Sequence, residues 1–251
     1  MSTCKLANFF MREYGKDSLL RRIVTIIVTM FFLVLPFWIF MKIFTRTRII
    51  GKEYIQKARL PFLFASNHVS MLDDAFIGPL LFLPRGFWDY KFMPYHTPER
   101  KNFYVGPVFS FIMEHAKCIP LTRGKGLNQP GIGRIIQALK NGGSVVMYPE
   151  GTRTRSGRLG TGKPGIGKVI YESGCNVIPC YHSGFEKVLP IGKKIPRFSK
   201  EVIIKVGEPL DLSRFFTMEN KLETWKAIAD ELIVAIRKLM EEDRTERSFS
   251  G

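Results

Sequence analysis

The chain has 251 residues, with 38 Lys and Arg against 22 Asp and Glu, a formal net charge of +16. Hydrophobic residues make up 45% and aromatics 13%, including 21 phenylalanines. This composition excludes a disordered chain, a collagen-like repeat and an acidic solvating chain, and the charge excess selects a polyanion or an anionic membrane surface as partner.

In chain order, the first signal is apolar. Leu6, Phe9, Phe10 and Tyr14 recur at helical spacing among charged residues, and residues 23–41 then read IVTIIVTMFFLVLPFWIFM, with Thr25 and Thr29 the only polar side chains. A helix needs about 20 apolar residues to span a bilayer, so this run barely qualifies. Pro36 lies inside it and should kink or split the helix. Arg21 and Arg22 precede the run; Lys42, Arg46 and Arg48 follow it. Positive charge on both flanks gives no orientation across a membrane and suits a segment whose two ends return to one face. Monotopic embedding is therefore favoured over a single span, with a buried soluble helix as the third reading. Residues 1–50 hold eight Lys or Arg against two acidic residues, and each close charge adds about 1 kcal/mol of attraction to anionic lipid.

From residue 61 the pattern changes to short apolar runs separated by helical stretches. PFLFAS (61–66), YKFM (90–93), AKCIPL (116–121), SVVMYP (144–149), NVIPCY (176–181) and EVIIKV (201–206) read as strands. Helices are expected over 72–83, 133–140, 165–172 and 222–240. Strand-helix alternation of this kind predicts an α/β sheet with helices packed over it. The organisation expected is a membrane-associated helical segment (1–50), a globular domain (51–241) and a flexible polar tail (242–251). Cys4, Cys118, Cys175 and Cys180 form no CxxC pair and stand in no zinc-like array, so they read as reduced thiols filling space in a core.

Four histidines are available. His96 lies in a charged loop, His115 closes a helix and His182 follows a strand, so structural roles suffice for these three. His68 stands in the run Asn67-His68-Val69-Ser70-Met71-Leu72-Asp73-Asp74 directly after a strand, and reactive groups in open α/β sheets gather beyond the carboxyl ends of strands. Five residues along a helix turn about 500°, so His68 and Asp73 would not share one helix face. The natural solution puts His68 in the strand-to-helix turn and Asp73, rather than Asp74, in the first helical turn. There the carboxylate can fold back to fix the imidazole as a base. No GxSxG elbow accompanies the pair, so the nucleophile is a substrate hydroxyl or water.

A second constellation follows another apolar run: Tyr148-Pro149-Glu150-Gly151-Thr152-Arg153. Gly, Thr and Arg together offer amide, hydroxyl and guanidinium donors to a single anion.

Over residues 60–215 the sequence resembles the glycerolipid acyltransferases typified by the 1-acylglycerol-3-phosphate acyltransferase family. NHVSMLDD, KCIPLTRG, YPEGTR and VIPCY match four family blocks in order. The resemblance implies an α/β fold with a central mixed sheet flanked by helices, behind an N-terminal membrane-embedded helical segment. It implies His68 as general base and Asp73 as its orienting carboxylate. For the acceptor's phosphate it implies Arg123, Glu150, Gly151, Thr152 and Arg153, with Lys91 resembling a family lysine ahead of the second block. It further implies acyl transfer from acyl-CoA or acyl carrier protein to the sn-2 hydroxyl of 1-acylglycerol-3-phosphate. Neither cofactor nor metal is implied, and the partners are membrane lipids and a lysophospholipid, not nucleic acid. The location implied is the cell inner membrane, with the active site facing the cytosol. The doubled aspartate in MLDDAF, with PGIGKVI and KKIPRF, is similar to tafazzin, a phospholipid–lysophospholipid transacylase, whereas EGTR is not. From another class, a non-enzymatic basic lipid-binding protein would account for the charge and the apolar segment but not for His68–Asp73.

Overall fold

A computed structural model describes residues 19–71, 73–122, 124–154, 158–190, 192–193, 195–198 and 200–249. The apolar stretch of residues 6–14, Cys4 and Arg123 lie outside them. The first described element is one long helix in three parts: α1 (Leu19–Val28), a π-helical turn (Thr29–Val34) and α2 (Leu35–Phe44). Pro36 does not split it. The wide turn ahead of the proline, in which the Leu35 N–H reaches back to the Met30 carbonyl, makes room for a ring that would clash in a regular helix. Over Arg22–Ile43 the mean hydropathy is 2.6, which is long and apolar enough to cross a membrane by length and composition alone.

The sheet has the order β1-β5-β4-β2-β3, built from β1 (Thr45–Ile50), β2 (Phe62–Ser66), β3 (Ser144–Met147), β4 (Asn176–Ser183) and β5 (Lys200–Val206). It is mixed: β3, β2 and β4 run parallel, β5 is antiparallel to β4, and β1 is parallel to β5. All five residues of β2 are buried, and its side chains alternate between two apolar layers. Phe62 and Phe64 enter the core formed with α4 (Asp73–Phe82), while Leu63 and Ala65 face the core formed with α8 (Pro130–Lys140), α9 (Pro164–Ser173) and α11 (Leu222–Phe249). Helices therefore cover both faces, as an α/β composition demands.

Four sequence expectations need correction. Residues 45–50 belong to the sheet, not to the membrane segment. The basic residues Arg46 and Arg48 that read as a helix flank are the exposed positions of an edge strand. YKFM is no strand, because Asp89 draws the amides of Lys91 and Phe92 into a turn. In AKCIPL only isolated bridges form, at Cys118 and Leu121, since Lys117 has a positive φ and Pro120 has no N–H to donate. The polar stretch after residue 241 continues α11 to Phe249, held by a Lys205–Glu246 ion pair at 2.6 Å and by Arg247 on Asp243 at 3.0 Å. Cys118, Cys175 and Cys180 are free and buried, and burial pushes the Cys180 thiol up to about 12.

Two helices over the second face meet at backbone distance. A Cβ on Gly167 of α9 would lie 1.8 Å from the Trp225 carbonyl oxygen of α11. Gly167→Ala should therefore force the helices apart and cost about 2 kcal/mol, read as a fall in the thermal unfolding midpoint. An unchanged midpoint would contradict this contact.

Candidate active site

Parallel pairing sets the level of the site. Ala65 pairs with Met147 on one side and with Pro179 on the other. Three residues further along each chain, His68, Glu150 and His182 arrive together at the carboxyl ends of β2, β3 and β4. The separation of 82 residues between His68 and Glu150 is closed by a hydrogen bond from the His68 amide to Glu150 Oε1 at 3.1 Å. Thr154 N–H donates to the His68 carbonyl at 2.9 Å. The turn after β2 and the turn after β3 are thus tied into one unit.

Within that unit Asp73 is fully buried. Its Oδ2 is 2.8 Å from His68 Nδ1 and accepts the Val69 amide at 2.8 Å, and both carboxylate oxygens accept the Ser70 amide at 3.0 Å. A carboxylate on Nδ1 puts the ring proton there and leaves Nε2 as a basic edge. His68 lines a cavity of about 740 Å³, within the size range of small-molecule sites.

The Asn67 side chain fixes the residue before His68 from the other side. It donates to the His182 carbonyl and accepts the His182 amide, each at 2.9 Å, while His182 Nε2 donates to the Asn67 carbonyl at 2.8 Å. Burial lowers the pKa of His182 and keeps it neutral even though Asp73 Oδ2 is 3.7 Å away. By sequence alone His182 reads only as a residue following a strand. The available signal was register: β4 ends level with β2.

The phosphate-binding candidates divide. Thr152 and Arg153 line the cavity with His68. Gly151 makes the turn that presents them, with φ +65°. Glu150 lines the same wall, but its two oxygens are occupied by the amides of His68 and Gly160, at 3.1 and 2.9 Å. Burial raises its pKa. Its role is to brace the two turns, and a carboxylate so placed is no phosphate ligand. Lys91 does not join the site. Its carbonyl accepts the Ser144 amide at 3.2 Å, and Ser144 pairs with Phe62 at the opposite end of the parallel strands, a strand length of about 15 Å away. Thr122 and Gly124, which flank Arg123, do line the cavity. Among the described residues no group of three or more His, Cys, Asp and Glu side chains is arranged to hold a metal ion.

Residues 46–183, more than half of the chain, match the profile of the acyltransferase family. The chain belongs to that family. The chain is 33% identical over 152 residues to the chloroplastic 1-acyl-sn-glycerol-3-phosphate acyltransferase of Arabidopsis thaliana, covering 60% of this chain and 40% of that one. It is 28% identical over 195 residues to the tafazzin of Drosophila melanogaster, covering 76% and 51%. The chain thus spans about half or less of the length of these relatives. In structure it is similar to the 1-acyl-sn-glycerophosphate acyltransferase PlsC of Thermotoga maritima, with a TM-score of 0.62 and 20% identity over 94% of this chain and 88% of that one. That likeness establishes the mixed α/β sheet flanked by helices.

Because Asp73 both fixes the imidazole and holds its turn closed, Asp73→Asn in this member of the acyltransferase family should lower kcat/KM by about 10³- to 10⁴-fold, as in serine-protease triads. Steady-state kinetics alongside circular dichroism checks this. Turnover within tenfold of wild type, with the fold intact, would show that Asp73 is not the orienting carboxylate.

Proposed function

We propose that the protein is a membrane-bound lysophospholipid acyltransferase that moves a fatty acyl group from an acyl thioester to the sn-2 hydroxyl of 1-acylglycerol-3-phosphate, giving phosphatidic acid. The observation that carries this reading is the meeting of two unlike features in one cavity: the His68–Asp73 pair, and Thr152 with Arg153. His68 Nε2 takes the hydroxyl proton as that oxygen attacks the thioester carbonyl. Asp73 stabilises the imidazolium that forms. The thiolate leaves and recovers the proton from His68, so atoms and charge balance without an acyl-enzyme. Thr152 and Arg153 hold the phosphate and so fix the hydroxyl against the carbonyl, an orientation effect worth several kcal/mol. The donor is acyl-CoA or acyl carrier protein.

Two features support a membrane site. Ile23, Ile27, Phe31, Leu35, Ile39 and Ile43 are exposed at near four-residue intervals along the N-terminal helix, an uninterrupted apolar stripe. The opposite side of α2 packs on the domain, with Phe37 and Phe40 against Phe76 at 5.7 and 6.1 Å between ring centroids. A helix bound lengthwise in this way suits embedding from one side, and the basic residues at both its ends suit the anionic cytosolic face of an inner membrane. A second apolar surface comes from α7 (Pro107–His115), which follows α6 (Arg100–Phe103). Val108, Phe109 and Phe111 are exposed, as is Val105 just before it. The segments that carry these surfaces also line the cavity, through Val34 and Phe37 of the N-terminal helix and Phe103 and Met113 of α6 and α7. An acyl chain passing between them stays out of water, at about 0.8 kcal/mol for each methylene kept buried. A thioester donor is favoured over a phospholipid donor because Thr152 and Arg153 suit a small phosphomonoester with two negative charges.

Purified protein in phospholipid vesicles, supplied with lysophosphatidic acid and acyl-CoA, should form phosphatidic acid, and His68→Ala should abolish it. Arg153→Ala should raise KM for the lysophosphatidic acid roughly tenfold or more, and Arg153→Lys should restore part of the loss because charge returns without the bidentate fork. Turnover unaffected by His68→Ala would end this reading. Phosphatidic acid formed from vesicle lipid as fast without acyl-CoA as with it would assign the donor to a phospholipid instead.

A further inference from the structure

Two consecutive aspartates open α4, and the chemistry above uses only the first. Asp74 is nevertheless engaged on both oxygens. Oδ1 accepts the hydroxyl of Tyr148 at 2.5 Å, and Oδ2 faces Nδ1 of His96 at 3.5 Å. Burial opposes its charge, but His96, Tyr148 and then His68 outweigh burial and hold the carboxyl below its ordinary range. The tyrosine hydroxyl is pushed the other way by burial and by Asp74, so it stays protonated and donates. All of these side chains border the cavity that His68 lines.

The partner of Asp74 touches the base directly. The ring of Tyr148 stacks on the imidazole of His68 with centroids 4.1 Å apart and planes 17° from parallel. Tyr148 follows the end of β3, so the stack joins the turn of one strand to the turn of its neighbour. Asp73 holds the imidazole by its edge, at Nδ1, and a bond to one edge leaves the ring free to rock about that bond. A flat ring against the face removes that freedom. A ring fixed by its hydroxyl to the partly exposed carboxylate of Asp74 is held against turning aside. The π-face also meets the positive charge that His68 acquires when it takes a proton.

We propose that Asp74 is a positioning residue for His68 that acts through Tyr148, so that the two aspartates divide the work: Asp73 sets the edge of the base and Asp74 sets its face. His96 belongs to the same unit, with Nδ1 facing the second oxygen of Asp74 at 3.5 Å. This rests on His68 being the base of acyl transfer. Its consequence is specific, because tilting of Nε2 away from the attacking hydroxyl slows the chemical step without weakening the grip on either substrate.

The test is a double-mutant cycle on the full chain in phospholipid vesicles, with lysophosphatidic acid and acyl-CoA, using Asp74→Asn, Tyr148→Phe and the pair together. Tyr148→Phe removes the donor of the hydrogen bond while keeping both the stack and every charge, and Asp74→Asn reduces its acceptor from a charged carboxylate to a neutral amide oxygen. Each should lower kcat roughly tenfold with both KM values within about twofold of wild type, and the double variant should lose no more than the worse single one. Asp74→Glu should recover part of kcat, and Tyr148→Ala, which removes the stack, should fall below Tyr148→Phe. Wild-type kcat in Tyr148→Phe, or losses that multiply in the double variant, would overturn the proposal, and so would losses carried by KM. His68→Ala in the same series separates the two levels. Retained turnover there refutes His68 as the base, whereas a dead His68→Ala beside an unimpaired Tyr148→Phe and Asp74→Asn refutes only the positioning role.

Discussion

The carboxylate of Asp73 is closed off from the protein surface, and three donors from the turn that precedes it reach it: the imidazole of His68 and the amides of Val69 and Ser70. A buried charge left without partners costs several kcal/mol, so the turn cannot open or slip by a residue without losing all three bonds at once. Asp73 also begins α4, where the positive end of the helix adds to its stabilisation. The same atoms that make the site reactive therefore make it rigid. Around them the supports are arranged in layers: Asn67 with His182 behind the base, Glu150 across to the turn after β3, and Tyr148 on the face of the ring. They come from the ends of β2, β3 and β4, which is why three neighbouring parallel strands are the frame the site requires.

The outer surface follows from where such a base would find its substrates. A lysophospholipid has one end that needs cationic and hydroxyl donors and another that needs an apolar lining. The cavity provides both, with Arg153 and Thr152 at one wall and Phe37, Phe103 and Met113 at others. The long N-terminal helix serves this arrangement twice. One side packs Met41, Phe37 and Phe40 against the domain, and the other carries an exposed apolar stripe.

Much of this was legible in the sequence because it is local. The five-residue step from His68 to Asp73 dictates a strand-to-helix turn, and the apolar runs of β2, β3, β4 and β5 stand out from their flanks. What escaped was set by register between distant segments. His182 and His96 look like ordinary histidines until the pairing of β4 with β2, and of Tyr95 with Val145, brings them beside Asp73 and Asp74. Glu150 sits in a run rich in anion donors, and only its two amide bonds reveal it as a brace. Lys91 was misplaced for the same reason, since its distance along the chain says nothing about which end of the sheet it occupies. β1 was hidden by its arginines, which suit a membrane flank and an edge strand equally well.

The central claim is that His68 activates the acceptor hydroxyl directly, with no acyl group passing through the protein. Rapid mixing of the enzyme with radiolabelled acyl-CoA, with and without lysophosphatidic acid, measures this most directly. The account predicts that without acceptor there is no stoichiometric burst of free CoA and no label on the protein, and that with acceptor CoA and phosphatidic acid appear together. A burst of CoA matched by labelled protein in the absence of acceptor would contradict it.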